Sequence, residues 1–316
     1  MKLLITGGAG YIGSHVVRVA TQMGHESVVV DNLSTGVESR LNGRLIKLDL
    51  ASPDATPRLV ELMNQESFDA VIHLAARKQV GESVQLPERY YLDNLGGLGA
   101  LLLAMREVGL KNLVFSSSAA TYGMPDVDSV TEDYPGQPIN PYGETKLVGE
   151  WMVKNAKVWG LRGVNLRYFN VAGTGFSDLG DTAPLNLIPI AIQALKLGNA
   201  PKVFGSDYPT DDGSCVRDYV HVLDLAKAHL AAVDYLSREE RPFDTFNVGT
   251  GIGASVFEVL SELKIASGID FKEEVEPRRA GDPPKLVADV QRIREVLGFE
   301  ATHDLRQIVQ SAWNAS

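Results

Sequence analysis

The first 31 residues constrain this chain more than any other stretch. A short apolar run, Leu3 to Thr6, ends in Gly7-Gly8-Ala9-Gly10-Tyr11-Ile12-Gly13, which satisfies both G-x-G-x-x-G and G-x-x-G-x-x-G. Glycines there permit a tight turn and let backbone amides approach an anion, while the helix that follows directs its positive end at the same point. Gly13 to Met23 carries Val16, Val17, Val19 and Ala20 at helical spacing and stops at Gly24, read as a C′ glycine. A second apolar run, Ser27 to Val30, leads into Asp31, at roughly the 20-residue distance of a carboxylate that grips a ribose. Together these read as one βαβ unit that binds a dinucleotide.

Asp31 also discriminates between cofactors. A carboxylate accepts from the 2′- and 3′-hydroxyls and repels a 2′-phosphate, and the next residue is Asn32 rather than Arg, so NAD is favoured over NADP. Asp49-Leu50, after a third apolar run, would line the adenine pocket. Leu74-Ala75-Ala76, after a fourth, has the small side chains needed where a cofactor crosses a strand end.

Further short apolar runs at Leu45 to Leu48, Ala70 to Leu74, Leu113 to Phe115 and Val164 to Phe169 alternate with helical stretches. Strands apolar on both faces and separated by crossovers predict an α/β fold, a doubly wound Rossmann-type parallel sheet covered by helices. The 316 residues leave room for a second domain, at about 150 residues each. After Asn170 turn-rich segments predominate, followed by helical patterns at Leu223 to Leu236 and Val256 to Lys264. The expected division is 1–173 for the NAD-binding domain, with segments around 215–248 returning to it, and 174–316 for a smaller, partly interleaved α/β substrate lobe.

A candidate reacting centre lies within the first of these parts. Tyr142 and Lys146 are four residues apart, hence on one face of a helix. A phenol titrating near 10 is a poor base at neutral pH unless positive charge stabilises its phenolate. Lys146, a helix N-terminus and an oxidised nicotinamide could each supply that charge. Ser116-Ser117-Ser118 ends the Leu113 to Phe115 strand, so a hydroxyl at its C-terminal end can face the same crevice.

These residues carry a resemblance. The glycine loop, Ser116 to Ala119 with Tyr122-Gly123, Tyr142-x-x-x-Lys146 and Leu166-Arg167-Tyr168-Phe169-Asn170 resemble the extended short-chain dehydrogenase/reductase superfamily. Lys78 to Val84, Asp207 to His221 and Pro277 to Asp282 are similar to its UDP-glucose 4-epimerase family. The resemblance covers essentially the whole chain and implies an isomerase that interconverts UDP-galactose and UDP-glucose through a 4-keto sugar, with NAD regenerated each turnover. It implies Tyr142 as the base at the sugar 4-hydroxyl, Ser118 as proton relay, and Lys146 as holder of the nicotinamide ribose. Cofactor contacts are then implied for Gly7, Gly10, Tyr11, Ile12, Gly13, Asp31, Asn32, Leu33, Ser34, Thr35, Gly36, Asp49, Leu50, Leu74, Ala75, Ala76, Lys78, Asn94, Tyr142, Lys146 and Phe169. Contacts with a UDP-sugar are implied for Lys78, Ser118, Tyr142, Asn170, Asn186, Leu187, Val203, Phe204, Arg217, Arg279 and Asp282. A homodimer is implied through helices at Leu95 to Val108 and Lys146 to Trp159.

Two positions depart from the family pattern. Leu98 stands where Asn-x-x-Gly-Thr would have Thr, and Leu286 stands where relatives carry either Tyr or a smaller residue, which bears on access for a 2-N-acetyl group. A UDP-N-acetylglucosamine 4-epimerase, or another sugar-nucleotide-modifying relative, is therefore the alternative. A dehydratase would need an acidic pair after its active-site hydroxyl, and this chain has Ala119-Ala120-Thr121. A non-catalytic NAD-binding regulator would lack the Tyr/Lys pair.

The remaining composition excludes other classes. The net charge of −10 argues against nucleic acid or anionic lipid as a partner. Leu95 to Met105, the longest apolar stretch, has eleven residues and three glycines, against about 20 apolar residues for a membrane helix. The N-terminal apolar run breaks at Thr6-Gly7-Gly8, too early for a signal peptide, so residue 1 is read as the start of the fold. The lone Cys215 is read as an inert buried thiol and fits a reducing cytoplasm. His15, His25, His73, His221, His229 and His303 show no ligand spacing, so no metal is expected, and each is read as a loop or helix-surface residue.

Overall fold

Runs rich in Leu, Ile and Val become strands here because a parallel sheet covered on both sides buries both faces. The computed structural model describes residues 1–181, 183–238, 243–279 and 281–316; Ala280, within the Pro277 to Asp282 motif, lies outside them. The chain begins β1 (Lys2–Thr6), α1 (Tyr11–Gln22), β2 (Glu26–Asp31), β3 (Arg44–Lys47), α2 (Ala55–Gln65) and β4 (Ala70–His73). The short helices α3 (Val80–Gln85) and α4 (Pro87–Tyr90) follow, and a π-helical turn at Tyr91–Gly96 runs into α5 (Gly97–Val108). Next come β5 (Asn112–Ser116), α6 (Pro141–Asn155), β6 (Arg162–Tyr168), β7 (Asn170–Ala172), α7 (Leu187–Lys196), β8 (Lys202–Phe204) and β9 (Val216–His221). The remainder is α8 (Val222–Arg238), β10 (Phe243–Val248), β11 (Gly253–Ser255), α9 (Val256–Ser267), β12 (Glu274–Glu276), β13 (Lys285–Leu286), α10 (Gln291–Leu297) and α11 (Leu305–Asn314).

The chain divides into two units. The first comprises Met1–Gly123, Pro135–Arg167 and Ala226–Phe246, and the second Met124–Tyr134, Tyr168–Leu225 and Asn247–Ser316. The Met124–Tyr134 excursion into the second unit has no counterpart in the sequence reading. In the first unit a seven-stranded sheet runs β10-β6-β5-β4-β1-β2-β3. The paired strands from β6 to β3 are parallel. Chain order reverses beside β1, where β2 lies on one side and β4 on the other. Such a switch point opens a crevice at the C-terminal strand ends, where ligands of doubly wound sheets bind.

Packing fixes the helix that matters most. Pro141 occupies the first turn of α6, and the Asn140 side chain accepts from the Gly143 amide at 2.9 Å, a cap worth about 1 kcal/mol. At Gly149 a Cβ would lie 2.6 Å from the Phe115 ring and 3.3 Å from Leu98, so α6 sits closely on β5. Leu98, the departure noted above, is fully buried in the same core.

The second unit has its own core, built around Ile188, Ile192, Val203, Tyr219, Leu260 and Ile308. In it β9 pairs with β7 and β13 in parallel and with β11 antiparallel, while β8 pairs with β12.

Candidate active site

The turn between β1 and α1 is shaped by what its glycines cannot carry. A Cβ on Gly7, whose φ is +73°, would lie 2.6 Å from the Ala75 amide nitrogen, and one on Gly13 would collide with the Gly7 carbonyl. Gly10 differs: among the described residues a Cβ there would meet only the Gly7 carbonyl oxygen, at 3.4 Å. Gly10 caps α1 without a side chain, and the first turn, which includes Tyr11, Ile12 and Gly13, holds no acidic residue. The chain therefore leaves the helix's positive end unneutralised, beside space a glycine keeps open.

Asp31, at the end of β2, is buried. Its Oδ2 accepts from the Ala9 amide at 3.0 Å and its Oδ1 from the Leu33 amide at 2.8 Å, so each oxygen keeps a second lone pair for a ribose hydroxyl. The loop Asn32-Leu33-Ser34-Thr35-Gly36 returns to the glycine turn, with the Val37 amide donating to the Ala9 carbonyl at 2.9 Å. Gly36 is required there, since a Cβ would come within 2.8 Å of Asp31 Oδ1. These residues fit a dinucleotide.

Other predicted cofactor residues sit at neighbouring strand ends. Asp49 is exposed and accepts from the Ala51 amide at 3.0 Å, whereas Leu50 is buried. Leu74 and Ala75 are half-buried after β4, and Ala76 and Lys78 are exposed. Asn94 is spent largely on the chain itself: Oδ1 accepts from the Arg77 amide at 2.7 Å, and Nδ2 donates to the Arg77 carbonyl at 3.1 Å and Thr145 Oγ1 at 3.0 Å. It ties the loop after β4 to α6.

Tyr142, Ser118 and Lys146 converge in the first unit. Ser118 follows β5 and caps a 3₁₀ turn at Ala119–Tyr122. The Tyr142 phenol is buried, which pushes its pKa up, and the nearby Ser118 hydroxyl pulls the other way. Lys146 Nζ donates to the Ser116 carbonyl at 2.8 Å and lies 5.9 Å from the Tyr142 ring centroid. Burial draws the Lys146 pKa down to about 8, opposed by Glu150.

The predicted UDP-sugar residues other than Lys78, Ser118 and Tyr142 lie in the second unit, as does Phe169. Phe169 is buried and bonded through its amide to the Val248 carbonyl at 3.1 Å. Asn170 opens β7, Asn186 and Leu187 begin α7, and Val203 and Phe204 belong to β8. The Arg279 guanidinium stacks 3.7 Å from the Phe204 centroid. Arg217 on β9 lies 3.7 Å from Asp282. Its sequence neighbour Asp218 instead accepts from the Thr250, Gly251 and Ala288 amides, which fixes the loop after β10.

The histidine expectation needs correction. His15, His73, His221 and His229 are buried rather than on loop or helix surfaces, because each spends a ring nitrogen on an internal partner. His15 bonds the Tyr11 carbonyl, His73 the Thr6 hydroxyl, His221 the Leu223 amide and His229 the Ser116 hydroxyl, at 2.7–3.1 Å. Sequence reasoning also missed Glu150, which shares a helix face with Tyr142 and Lys146 and pairs with Arg167. The repeated i, i+4 spacing was its one available signal. Among the described residues no helix is long and apolar enough to cross a membrane.

Comparison with known proteins identifies the family. Residues 3–249 match the NAD dependent epimerase/dehydratase family. A UDP-glucose 4-epimerase of Corynebacterium glutamicum is 44% identical over 99% of this chain and 95% of that protein. A UDP-glucose-4-epimerase structure from Stenotrophomonas maltophila, with bound NAD and formylated UDP-arabinopyranose, superposes with TM-score 0.95 at 39% identity, covering 100% of this chain and 97% of the other. One from Brucella ovis in complex with NAD gives 0.94 at 42% identity, covering 99% and 97%. The chain belongs to the NAD dependent epimerase/dehydratase family, among the UDP-glucose 4-epimerases.

Proposed function

We propose that this chain interconverts UDP-galactose and UDP-glucose by inverting C4 through a 4-keto sugar. The observation that carries this reading is the buried Tyr142 phenol on the helix face that bears Lys146, whose ammonium is anchored on the Ser116 carbonyl two residues before Ser118. Tyr142 takes the proton from the sugar 4-hydroxyl and later returns it, and Ser118 relays it between the two oxygens. Lys146 supplies the positive charge that makes a phenolate attainable near neutral pH. NAD held by the glycine turn and Asp31 would supply a reversible hydride acceptor for the sugar C4.

Gly7, Gly10 and Gly13, the N-terminus of α1 and Asp31 would hold the dinucleotide, in the first unit. Arg217 and Arg279 are suited to a UDP pyrophosphate because a guanidinium donates in pairs, and Asn186, Leu187, Val203, Phe204 and Asp282 would complete that site in the second. Ala119 to Tyr122, the turn after Ser118, carries no carboxylate, which favours epimerisation over dehydration. Leu286, buried on β13, leaves modest turnover of UDP-N-acetylhexosamines as a secondary activity.

A homodimer and a cytoplasmic location complete the proposal. Leu92 after α4, Leu103 on α5, Trp151 on α6 and Val158 beyond it are exposed, and a second copy of the chain would cover them. In a coupled assay converting UDP-galactose to UDP-glucose, Tyr142→Phe is expected to lose about 10²–10⁴-fold in kcat with thermal stability retained. Near-normal activity in that variant overturns the reading.

A further inference from the structure

The helix face that carries Tyr142 and Lys146 also carries a buried charge that the proposed reaction leaves unused. Helix α6 presents Tyr142, Lys146 and Glu150 at successive i, i+4 steps, hence on one face. Glu150 accepts twice from Arg167 of β6, from Nε at 2.8 Å and from Nη2 at 2.6 Å, and both side chains are buried. The same carboxylate accepts from the Ser117 hydroxyl. Arg167 in turn lies 4.8 Å from the Tyr122 ring centroid, and Tyr122 ends the turn that Ser118 caps.

An ion pair this deeply buried roughly offsets its own desolvation, so stability is a weak reason for having one. Location supplies a stronger reason. The three consecutive hydroxyls at the end of β5 go to three different partners: Ser116 to His229, Ser117 to Glu150, and Ser118 to the Ala120 amide of its own turn. Glu150 thus grips the residue before Ser118 from the same helix that carries Tyr142.

Resting on the roles proposed above for Tyr142, Ser118 and Lys146, we infer that Glu150 is a positioning residue: its carboxylate keeps Lys146 an ammonium and, through Ser117 and Arg167, holds the Ser118 turn in register with Tyr142. The groups around Lys146 agree. His73 on β4 is kept neutral by burial, with its pKa down at about 3. Burial pushes the Tyr142 phenol up. His229 from α8 is engaged with Ser116, and Arg167 from β6 with Glu150. Glu150 is the group whose charge opposes the effect of burial on Lys146.

The test is Glu150→Gln, which keeps the shape and an acceptor for Ser117 but removes the charge. In the holoenzyme the high-pH limb of kcat for UDP-galactose is expected to move down by about one pH unit. NMR of ¹³Cε-labelled lysine, read without turnover, should give Lys146 a correspondingly lower pKa. Because an unpaired buried Arg167 risks unfolding, the double variant Glu150→Gln with Arg167→Met serves as a second arm; it removes one charge of each sign, so the same two shifts are expected downward but smaller. Glu150→Asp restores the charge and should bring the limb back toward its original position. An unmoved limb and an unmoved Lys146 pKa in Glu150→Gln, with Tyr142→Phe inactive, overturn this inference; should that variant not fold, a limb and a Lys146 pKa unmoved in the double variant do so. An active Tyr142→Phe overturns the underlying reading instead.

Discussion

Lys146 Nζ donates to the carbonyl of Ser116 at 2.8 Å, so the ammonium borne by α6 is anchored on the last residue of β5. That anchoring carries a pH dependence. With its pKa drawn down to about 8, Lys146 is charged below that pH and loses its proton above it, so kcat should decline as pH climbs through 8. Lys146→Met keeps the volume without the charge and should cost on the order of 10²-fold or more in kcat at neutral pH. A kcat that stays level to strongly alkaline pH in the unmodified enzyme contradicts the assigned role.

Gly10 and Gly13 separate binding from folding. Gly10→Ala has room within the chain and a backbone already in the extended region, so thermal stability in the absence of cofactor should change little. NAD affinity should nonetheless fall markedly, because the added methyl occupies the approach to the helix end. Gly13→Ala collides with the Gly7 carbonyl and should lower the melting temperature itself. Calorimetry with and without NAD distinguishes the two.

His73 predicts acid sensitivity. Unfolded, it titrates near 6.5; folded, not until about 3. The unfolded chain binds the extra proton between those values, so stability is lost as pH falls through that window, by roughly 5 kcal/mol at most. His73→Gln should show a smaller change in denaturant midpoint between pH 7 and pH 4 than the parent protein does.

Leu286 pairs in register with Arg217 across β13 and β9. Leu286→Tyr should reduce turnover of UDP-N-acetylgalactosamine relative to UDP-galactose, and Leu286→Ala should raise that ratio about 10-fold, the size of effect that a few methylene groups produce in a pocket. Equal ratios in all three proteins would remove Leu286 from the specificity argument.

Replacing the exposed Leu103 and Trp151 together by Glu should yield a monomer by light scattering if these faces meet a second copy. A single species of unchanged mass would exclude them from the interface.

What could be read from the sequence was local. The glycine turn, Asp31 and the Tyr142/Lys146 spacing each lie within one element or its adjacent loop, and periodicity or turn chemistry exposes them directly. Glu150 and Arg167 stayed hidden because their partnership joins a helix to a strand that only tertiary packing brings together. The buried histidines were misjudged for the same reason: a ring nitrogen satisfied by a distant Thr or Ser hydroxyl leaves no spacing signature. The π-helical turn before α5 likewise depends on Asn94 reaching Arg77 and Thr145, contacts no short window contains.

Asp31 already spends a lone pair of each oxygen on its own backbone, at Ala9 and Leu33, and Leu33 holds the one positive φ (59°) among the described non-glycine residues. Engineering this chain to accept a phosphorylated ribose is therefore a loop-rebuilding problem. Removing the carboxylate alone would release both amides and slacken the turn before any new anion site existed, so Asp31 must be exchanged together with the residues from Asn32 to Gly36.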